Sequence, residues 1–266
     1  MKIACVLMQR NEDVCLAPWL RYHGALFGDE NLFVLDHHSD HGGVLETLAD
    51  AQARGVHVMR LPAGADYRKK GDFVSYAMRQ AEAGYDFVLP LDCDEFLAMR
   101  LPWGQPSCNP AEILDYFETL PASALAFGVG ENFLNMLGRP ETFFALPYEK
   151  VFFRGGHCGV VDHGSHKVLW PFMRVHATRL VYVHFHHRPF ARLKRAVMEK
   201  LAPFVDVNDE AALAAFRGPG AHLVLHLQKT EAEYRAIMTP DRRCVAFPEF
   251  CERLVALGID PAFCEM

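Results

Sequence analysis

The first hundred residues alternate regularly between short apolar runs and amphipathic segments. The apolar runs predict β-strands at 3–8, 31–35, 56–61 and 86–91. Between them, apolar residues at helical spacing predict helices at 14–27, 44–54 and 71–83. Strands joined by helices through short connections run parallel, with right-handed crossovers. The pattern therefore predicts an α/β fold, a Rossmann-like, mostly parallel sheet flanked by helices.

The alternation is looser after residue 100. The sequence still predicts helices at 110–120 and 189–201, strands at 124–128, 150–154 and 180–186, and glycine-rich connections at 128–138 and 154–165. Residues 208–238 look largely helical, with a break at Gly218-Pro219-Gly220. We expect 1–100 and 101–205 to be two halves of one domain, with 206–266 as a C-terminal helical extension packed on the same domain.

The composition excludes some functional classes. A net charge of -6 over 266 residues argues against a general nucleic-acid-binding protein, which normally carries a basic face. The eight cysteines include no CxxC pair, so we expect reduced thiols and a reducing compartment. The apolar run at the N-terminus is too short for a signal peptide, and no stretch approaches the ~18–20 apolar residues of a membrane span. These features predict a cytoplasmic protein; contact with a membrane surface and the oligomeric state stay open.

The most informative segment is Val88-Leu89-Pro90-Leu91-Asp92-Cys93-Asp94-Glu95-Phe96, an apolar run that ends in three acidic side chains. In an open α/β sheet, ligands bind at the carboxyl ends of the strands. Asp92 and Asp94 can leave such an end toward the same side and hold Mg²⁺ or Mn²⁺, which in turn binds a phosphate. The alternative is an acidic turn that caps the next helix, a common use of Asp.

Other polar residues follow the predicted strands at the same edge. Arg10, Asn11 and Glu12 follow the first strand, and Asp36 follows the second. Asp36 can accept hydrogen bonds from a ribose or a base, as acidic residues do in dinucleotide-binding folds; a polar turn is the alternative. Three basic residues offer positive charge for a diphosphate: Arg10, Lys70 and Arg188. A solvated surface charge is the alternative for Lys70, whereas Arg10 and Arg188 each lie at a predicted strand end beside another element of the site.

A histidine cluster, Tyr182-Val183-His184-Phe185-His186-His187-Arg188, ends the last predicted strand. On a strand, His184 and His186 face the same side. An imidazole directed at the acidic cluster would complete the coordination of Mn²⁺, which accepts mixed oxygen and nitrogen ligands. Two other interpretations stay open: a purely structural role, and a zinc site for which His163 and His166 are the nearest further ligands.

Taken in chain order, these segments resemble the GT-A glycosyltransferases, above all the bacterial family-2-like members and the related family long known as an uncharacterised conserved domain. The first matches are Arg10-Asn11-Glu12 and Trp19-Leu20-Arg21-Tyr22-His23 to (K/R)NE…EWLxYH, Val34-Leu35-Asp36-His37-His38-Ser39-Asp40 to (I/V)YDNxSxD, and Leu91-Asp92-Cys93-Asp94-Glu95-Phe96-Leu97 to (I/L)DxDEFL. The later matches are Ala126-Phe127-Gly128, Lys150-Val151 with His166-Lys167-Val168, and His184-Phe185-His186-His187-Arg188 followed by Lys200. The resemblance covers about residues 3–200.

The resemblance implies a metal-dependent glycosyltransferase with Mn²⁺ or Mg²⁺. The donor would be a nucleotide-diphosphate-sugar, with a UDP-sugar as the first candidate, and a glycan or glycoconjugate hydroxyl would accept the sugar with inversion. By position, Asp92 would contact the ribose or the metal, Asp94 would ligate the metal, and His184 or His186 would be the histidine ligand. Residues 1–100 would form the nucleotide-binding half and 101–205 the acceptor half. His37-His38 and Arg68-Lys69-Lys70 depart from the family pattern and leave the base and the sugar open.

Inverting transfer needs a carboxylate that takes the acceptor's proton. The candidates are Glu131, just past the predicted strand at 124–128, and Asp162, in the second glycine-rich connection; for each, a surface-loop role is the alternative. Two other functions stay open. A nucleotidyl- or phosphotransferase would want a glycine-rich phosphate loop near residue 10, where the sequence has no glycine. A non-catalytic carbohydrate-binding protein would need neither a metal nor Asp94.

Overall fold

Two β-sheets organise the chain, whose computed structural model describes residues 1–147, 149–170 and 172–265. The strands are β1 (Ile3–Gln9), β2 (Leu32–Asp36), β3 (His57–Arg60), β4 (Phe87–Pro90), β5 (Glu95–Arg100), β6 (Pro106–Ser107), β7 (Ala126–Val129), β8 (Glu131–Asn135), β9 (Thr142–Leu146), β10 (Lys150–Arg154), β11 (Val175–Ala177), β12 (Leu180–His184) and β13 (Cys244–Ala246). The α-helices are α1 (Leu16–Phe27), α2 (Gly42–Ala53), α3 (Lys70–Ala81), α4 (Pro110–Glu118), α5 (Phe190–Leu201), α6 (Glu210–Ala215), α7 (Val224–Gln228), α8 (Glu231–Ala236) and α9 (Pro248–Ala256).

The first sheet has seven strands in the order β11-β7-β10-β4-β1-β2-β3. The strands β3, β2, β1 and β4 are parallel, whereas β10 runs antiparallel between β4 and β7. Every residue of β1 is buried, because α1 and α2 cover one face of the sheet and α3 covers the other. The chain moves outward from β1 to β3 and returns with β4 on the other side of β1. This reversal is a topological switch point, where α/β sheets bind ligands.

The second sheet has six strands in the order β13-β9-β8-β12-β5-β6. Strand β5 begins within the acidic cluster, at Glu95, and β12 lies antiparallel to it with His184 opposite Glu95. Strand β8 runs parallel to β12 on the other side. This register brings the end of the histidine strand next to the acidic cluster.

The predicted α/β fold is confirmed, and so are the four strands and three helices of the first hundred residues. The predicted connection at 128–138 was wrong, because it contains β8, where the buried amides Asn132 and Asn135 interrupt the apolar pattern of a strand. Residues 206–265 contain β13 besides their helices, and Phe250 of α9 packs on Tyr22 and Phe96. None of the helices in the described part of the chain is long and apolar enough to cross a membrane.

Candidate active site

The loops that follow β1 and β2 are fastened to each other at the carboxyl edge of the first sheet. Asn11 Nδ2 donates to Asp40 Oδ1 (2.7 Å), and Asn11 Oδ1 accepts from the backbone N–H of Asp40 (3.0 Å). Asn11 has a φ of 51°, a conformation that Asn adopts more readily than most residues. Asp36 is buried; it accepts from Gln9 Nε2 (2.8 Å), and its second oxygen lies 3.1 Å from Arg60 Nε. The side chains of Asn11 and Asp36 therefore fix the backbone of these two loops at the carboxyl edge of the sheet.

Asp92 is held by two lysines. Its Oδ1 accepts from Lys70 Nζ, and its Oδ2 accepts from Lys150 Nζ at 2.9 Å. Lys150 is buried and also lies 2.8 Å from Glu95 Oε2, while it donates to the carbonyl of Gly164 at 3.0 Å. Burial raises the pKa of Asp92, but the charges of Lys150 and Lys70 outweigh it and hold that pKa well below its usual range. Asp92 is therefore ionised at neutral pH and faces a protein cation with each oxygen.

Asp94, His184 and His186 converge beside this lysine-bound aspartate. Each offers one ligand atom within 4.8 Å of the other two, and His184 Nε2 lies 3.5 Å from Asp94 Oδ1. The geometry follows from the sheet, because β12 ends at His184 and the backbone N–H of Phe185 donates to the Asp94 carbonyl at 2.7 Å. A carboxylate with two imidazoles suits Mn²⁺ and its transition-metal neighbours better than Mg²⁺, which prefers oxygen ligands. His163 and His166 are not members of this group.

The pKa values of the two imidazoles are shifted in opposite directions. Burial lowers the pKa of His184, but Asp94 outweighs it and raises that pKa above its usual value. Burial and the neighbouring His184 both lower the pKa of His186 well below its usual value. His186 is therefore neutral at pH 7 and has a lone pair for a metal.

Asn132 of β8 contacts the imidazole of His184 on its Nδ1 side. Its side-chain amide lies 3.2 Å from His184 Nδ1, and its buried Oδ1 has no hydrogen-bond partner among the residues that the structure describes. Turning the amide over lets Oδ1 accept a hydrogen bond from a protonated Nδ1. The lone pair of Nε2 is then free for a cation, which is the usual arrangement of a metal-bound histidine. The ligand set and the unpaired amide oxygen thus both fit a metal ion.

Arg188 and Lys200 add positive charge at Asp94. Arg188 Nη2 lies 3.1 Å from Glu12 Oε2 and 3.6 Å from Asp94 Oδ2. Burial lowers the pKa of Lys200, but Asp94 and Glu12 outweigh it and raise that pKa above its usual value. Together with the two lysines on Asp92, these side chains place four cations around two aspartates. Such a site suits a diphosphate that is bound through a metal ion.

Two predicted site residues lie apart from this group. Arg10 is exposed on the loop after β1. Glu131 begins β8, and its carboxylate is paired with Arg100, with 3.1 Å between Arg100 Nη2 and Glu131 Oε1. On β12, the residue paired with Glu131 is Val181, three positions before His184. The structure therefore does not bring Glu131 together with the metal-ligand group.

Asp162 lies on a loop that reaches the site. Its Oδ1 accepts from the backbone N–H groups of His166 (2.6 Å) and Lys167 (3.0 Å). Two residues further along the loop, the carbonyl of Gly164 accepts from the lysine that holds Asp92. Asp162 therefore fixes the conformation of the loop and lies two residues before Gly164, which contacts the charged cluster through Lys150.

The sequence predicts no role for three residues of the site, although Lys150 and Lys200 lie in segments that resemble the GT-A glycosyltransferases. Lys150 opens an apolar strand, and a lysine in such a run is a weak sign of a buried ion pair. Lys200 lies in a basic helix, and apart from that resemblance nothing in the sequence distinguishes it from the other cations of the helix. Asn132 lies in a segment interpreted as a loop, and nothing in the sequence marks it.

No protein-family model and no curated protein matches the chain. Among solved structures, the glucosyl-3-phosphoglycerate synthase from Mycobacterium tuberculosis in complex with Mg²⁺ and uridine diphosphate is 14% identical, with 76% of this chain and 79% of that chain covered and a TM-score of 0.43. The structure of S. aureus TarS 1-349 is 12% identical, with 97% and 80% covered and a TM-score of 0.43. The same synthase with Mn²⁺, UDP-glucose and phosphoglyceric acid is 16% identical, with 76% and 79% covered and a TM-score of 0.41. At these identities the likeness concerns the fold alone.

Proposed function

We propose that the chain is a metal-dependent glycosyltransferase that moves a sugar from a nucleotide-diphosphate-sugar to an acceptor hydroxyl. The observation that carries the proposal is the convergence of Asp94, His184 and His186 beside the lysine-bound Asp92. The group follows β4, at the switch point of the sheet, where an α/β fold binds its ligand. Because two of the three ligands are imidazoles, we propose Mn²⁺ as the ion in preference to Mg²⁺.

Each charged group has a part in this proposal. Asp94, His184 and His186 hold the ion, which when bound supplies positive charge to the departing diphosphate. The surrounding side chains add charge-assisted hydrogen bonds to the same phosphates: Lys70, Arg188 and Lys200. Lys150 is occupied by Asp92, Glu95 and the Gly164 carbonyl and supplies only its buried charge. We propose that Asp92 keeps Lys70 and Lys150 in place and contacts the ribose. A UDP-sugar is the proposed donor, and a hydroxyl of a glycan or glycoconjugate is the proposed acceptor.

We favour Asp162 over Glu131 as the base that takes the acceptor's proton. Asp162 uses Oδ1 for the loop, and its Oδ2 accepts no hydrogen bond from the residues that the structure describes. Both oxygens of Glu131 are bound by Arg100. One base without a covalent intermediate corresponds to the inverting reaction.

A thermal-shift titration tests the proposal. Mn²⁺ and UDP together at about 100 times their dissociation constant should stabilise the protein by about 2.7 kcal/mol, or about 5–10 °C. Asp94→Asn should lose most of this shift, whereas Asp241→Asn, a paired surface carboxylate, should keep it. Absence of a shift with Mn²⁺ and any nucleoside diphosphate contradicts the proposal.

Product analysis separates this function from phosphoryl or nucleotidyl transfer. A glycosyltransferase cleaves the bond between sugar and phosphate, so slow hydrolysis of UDP-glucose in the absence of an acceptor should release UDP and glucose. Release of UMP and glucose phosphate would place the reaction at the diphosphate instead. Asp162→Asn should slow sugar transfer without weakening the thermal shift by Mn²⁺ and UDP. A parallel loss of both would remove Asp162 from the role of base.

A further inference from the structure

Four large apolar side chains are exposed together at one end of the loop that carries Asp162. We call them the apolar tip: Val160 (36% exposed), Leu169 (58%), Trp170 (57%) and Phe172 (90%). Isolated apolar residues on a surface are ordinary, but exposed aromatic residues next to each other mark an interaction surface.

The apolar tip is carried by an ordered stem. Val161 and Val168 form a β-bridge, and the backbone N–H of Leu169 donates to the Val160 carbonyl at 2.7 Å. Val168 and Met173, on either side of the tip, pack against the core beneath the first sheet. The fold therefore leaves the tip exposed, although the neighbouring residues Val168 and Met173 pack against the core.

The charge around the tip differs from that of the whole chain. The protein has a net charge of -6, yet Asp162 is the one acidic residue between 155 and 178. The carboxylate of Asp162 is already bonded to two backbone N–H groups of the loop. Lys167 and Arg174, in contrast, are exposed on either side of the tip. Exposed aromatic residues flanked by exposed cations are the combination that binds the interface of an anionic lipid bilayer.

We propose that the apolar tip inserts into the headgroup region of an anionic bilayer, with Lys167 and Arg174 facing its phosphates. The tip and the charged cluster share one loop, because Gly164 of that loop accepts a hydrogen bond from Lys150. Where the proposed transferase function holds, this places the reaction at a membrane surface, and the acceptor hydroxyl belongs to a lipid-anchored molecule. The insertion itself needs neither nucleotide nor metal, so it stands or fails separately from the transferase function.

Tryptophan fluorescence tests the insertion directly. The chain has three tryptophans, of which Trp19 is buried and Trp103 and Trp170 are exposed. In the Trp103→Phe variant, the emission of Trp170 should shift to the blue when vesicles of phosphatidylcholine with 30% phosphatidylglycerol are added in metal-free buffer. Vesicles of phosphatidylcholine alone should bind about 25-fold more weakly, or about fivefold for each of the two cations. No blue shift with the anionic vesicles overturns the proposal.

Flotation with the same vesicles supplies the matched comparison. Trp170→Ser combined with Phe172→Ser should lower the partition constant about 100-fold, or about tenfold for each aromatic side chain. Trp103→Ser, which removes an even more exposed tryptophan from the β5–β6 connection, should bind like the parent protein. Equal binding by the double variant contradicts insertion of the tip. If the parent protein self-associates without lipid and the double variant does not, the tip is an interface between copies, and the proposal is wrong.

Discussion

Replacing Lys150 by methionine should strongly destabilise the protein. The Lys150 side chain is 1% exposed and lies within 2.9 Å of a carboxylate oxygen of both Asp92 and Glu95. Methionine fills a similar volume, so the main loss is the positive charge between the buried carboxylate of Glu95 and the partly buried carboxylate of Asp92. Removing one partner of a buried ion pair costs about 3–5 kcal/mol, because the remaining charge is left without compensation. For a chain of this size, that loss corresponds to a melting temperature lower by about 6–20 °C.

Urea unfolding followed by circular dichroism measures this loss. Lys167→Met is the control, because Lys167 is exposed on the neighbouring loop and its replacement should change stability by less than about 0.5 kcal/mol. Adding Glu95→Gln to Lys150→Met removes one of the two carboxylates that have lost this lysine. The double variant should therefore lose about 0.5–3 kcal/mol less stability than the two single variants lose in sum. A loss below about 1 kcal/mol in Lys150→Met would refute the reasoning, since the charge of this lysine would then contribute little to the stability of the fold.

Three further predictions concern other parts of the chain. Asn132→Leu should weaken Mn²⁺ binding by about 10–100-fold in calorimetry, because His184 loses its support, and unchanged affinity would exclude this role. Gly71→Ala should lower the free energy of unfolding by about 1–3 kcal/mol in urea, because the added Cβ would lie 2.6 Å from the Val161 carbonyl oxygen. Gly84→Ala is the control, since a Cβ at residue 84 would have nothing within 4 Å. Equal stability of the two variants would contradict the contact. Burial lowers the pKa of His23 to about 3, below its unfolded value, so this group stabilises the fold above about pH 6.5 and loses its contribution as the pH falls toward 3. His23→Gln should therefore make stability less dependent on pH by about 1.4 kcal/mol per unit between pH 6 and 4.5, and an unchanged slope would be evidence against a neutral His23.

The first half of the fold was predictable because its sequence obeys simple rules. The first six of the seven residues of β1 form a continuous apolar run, as expected for a strand buried on both faces of a parallel sheet. The carboxyl ends of parallel strands share one edge, so the acidic cluster after β4 could be assigned to a ligand crevice. The alternation of side chains along the predicted strand at 180–186 likewise placed His184 and His186 on one side, although β12 itself ends at His184.

The parts that were not predictable depend on pairing between distant segments. Lys150 reaches Asp92 because β10 lies antiparallel beside β4, and no local pattern encodes that neighbour. Asp92 was expected to share in metal binding, whereas the structure places its two oxygens against lysines and leaves the ligand group to Asp94 and the imidazoles. Asn132 stayed hidden because a buried amide interrupts the apolar pattern from which a strand is recognised.

A crystal soaked with MnCl2 and UDP, with anomalous diffraction recorded at the manganese edge, tests the central claim most directly. The account predicts a single strong peak within bonding distance of Asp94, His184 Nε2 and His186, with UDP phosphate oxygens completing the coordination. A manganese peak bound elsewhere, or one at Asp94 with both imidazoles turned away, would contradict it.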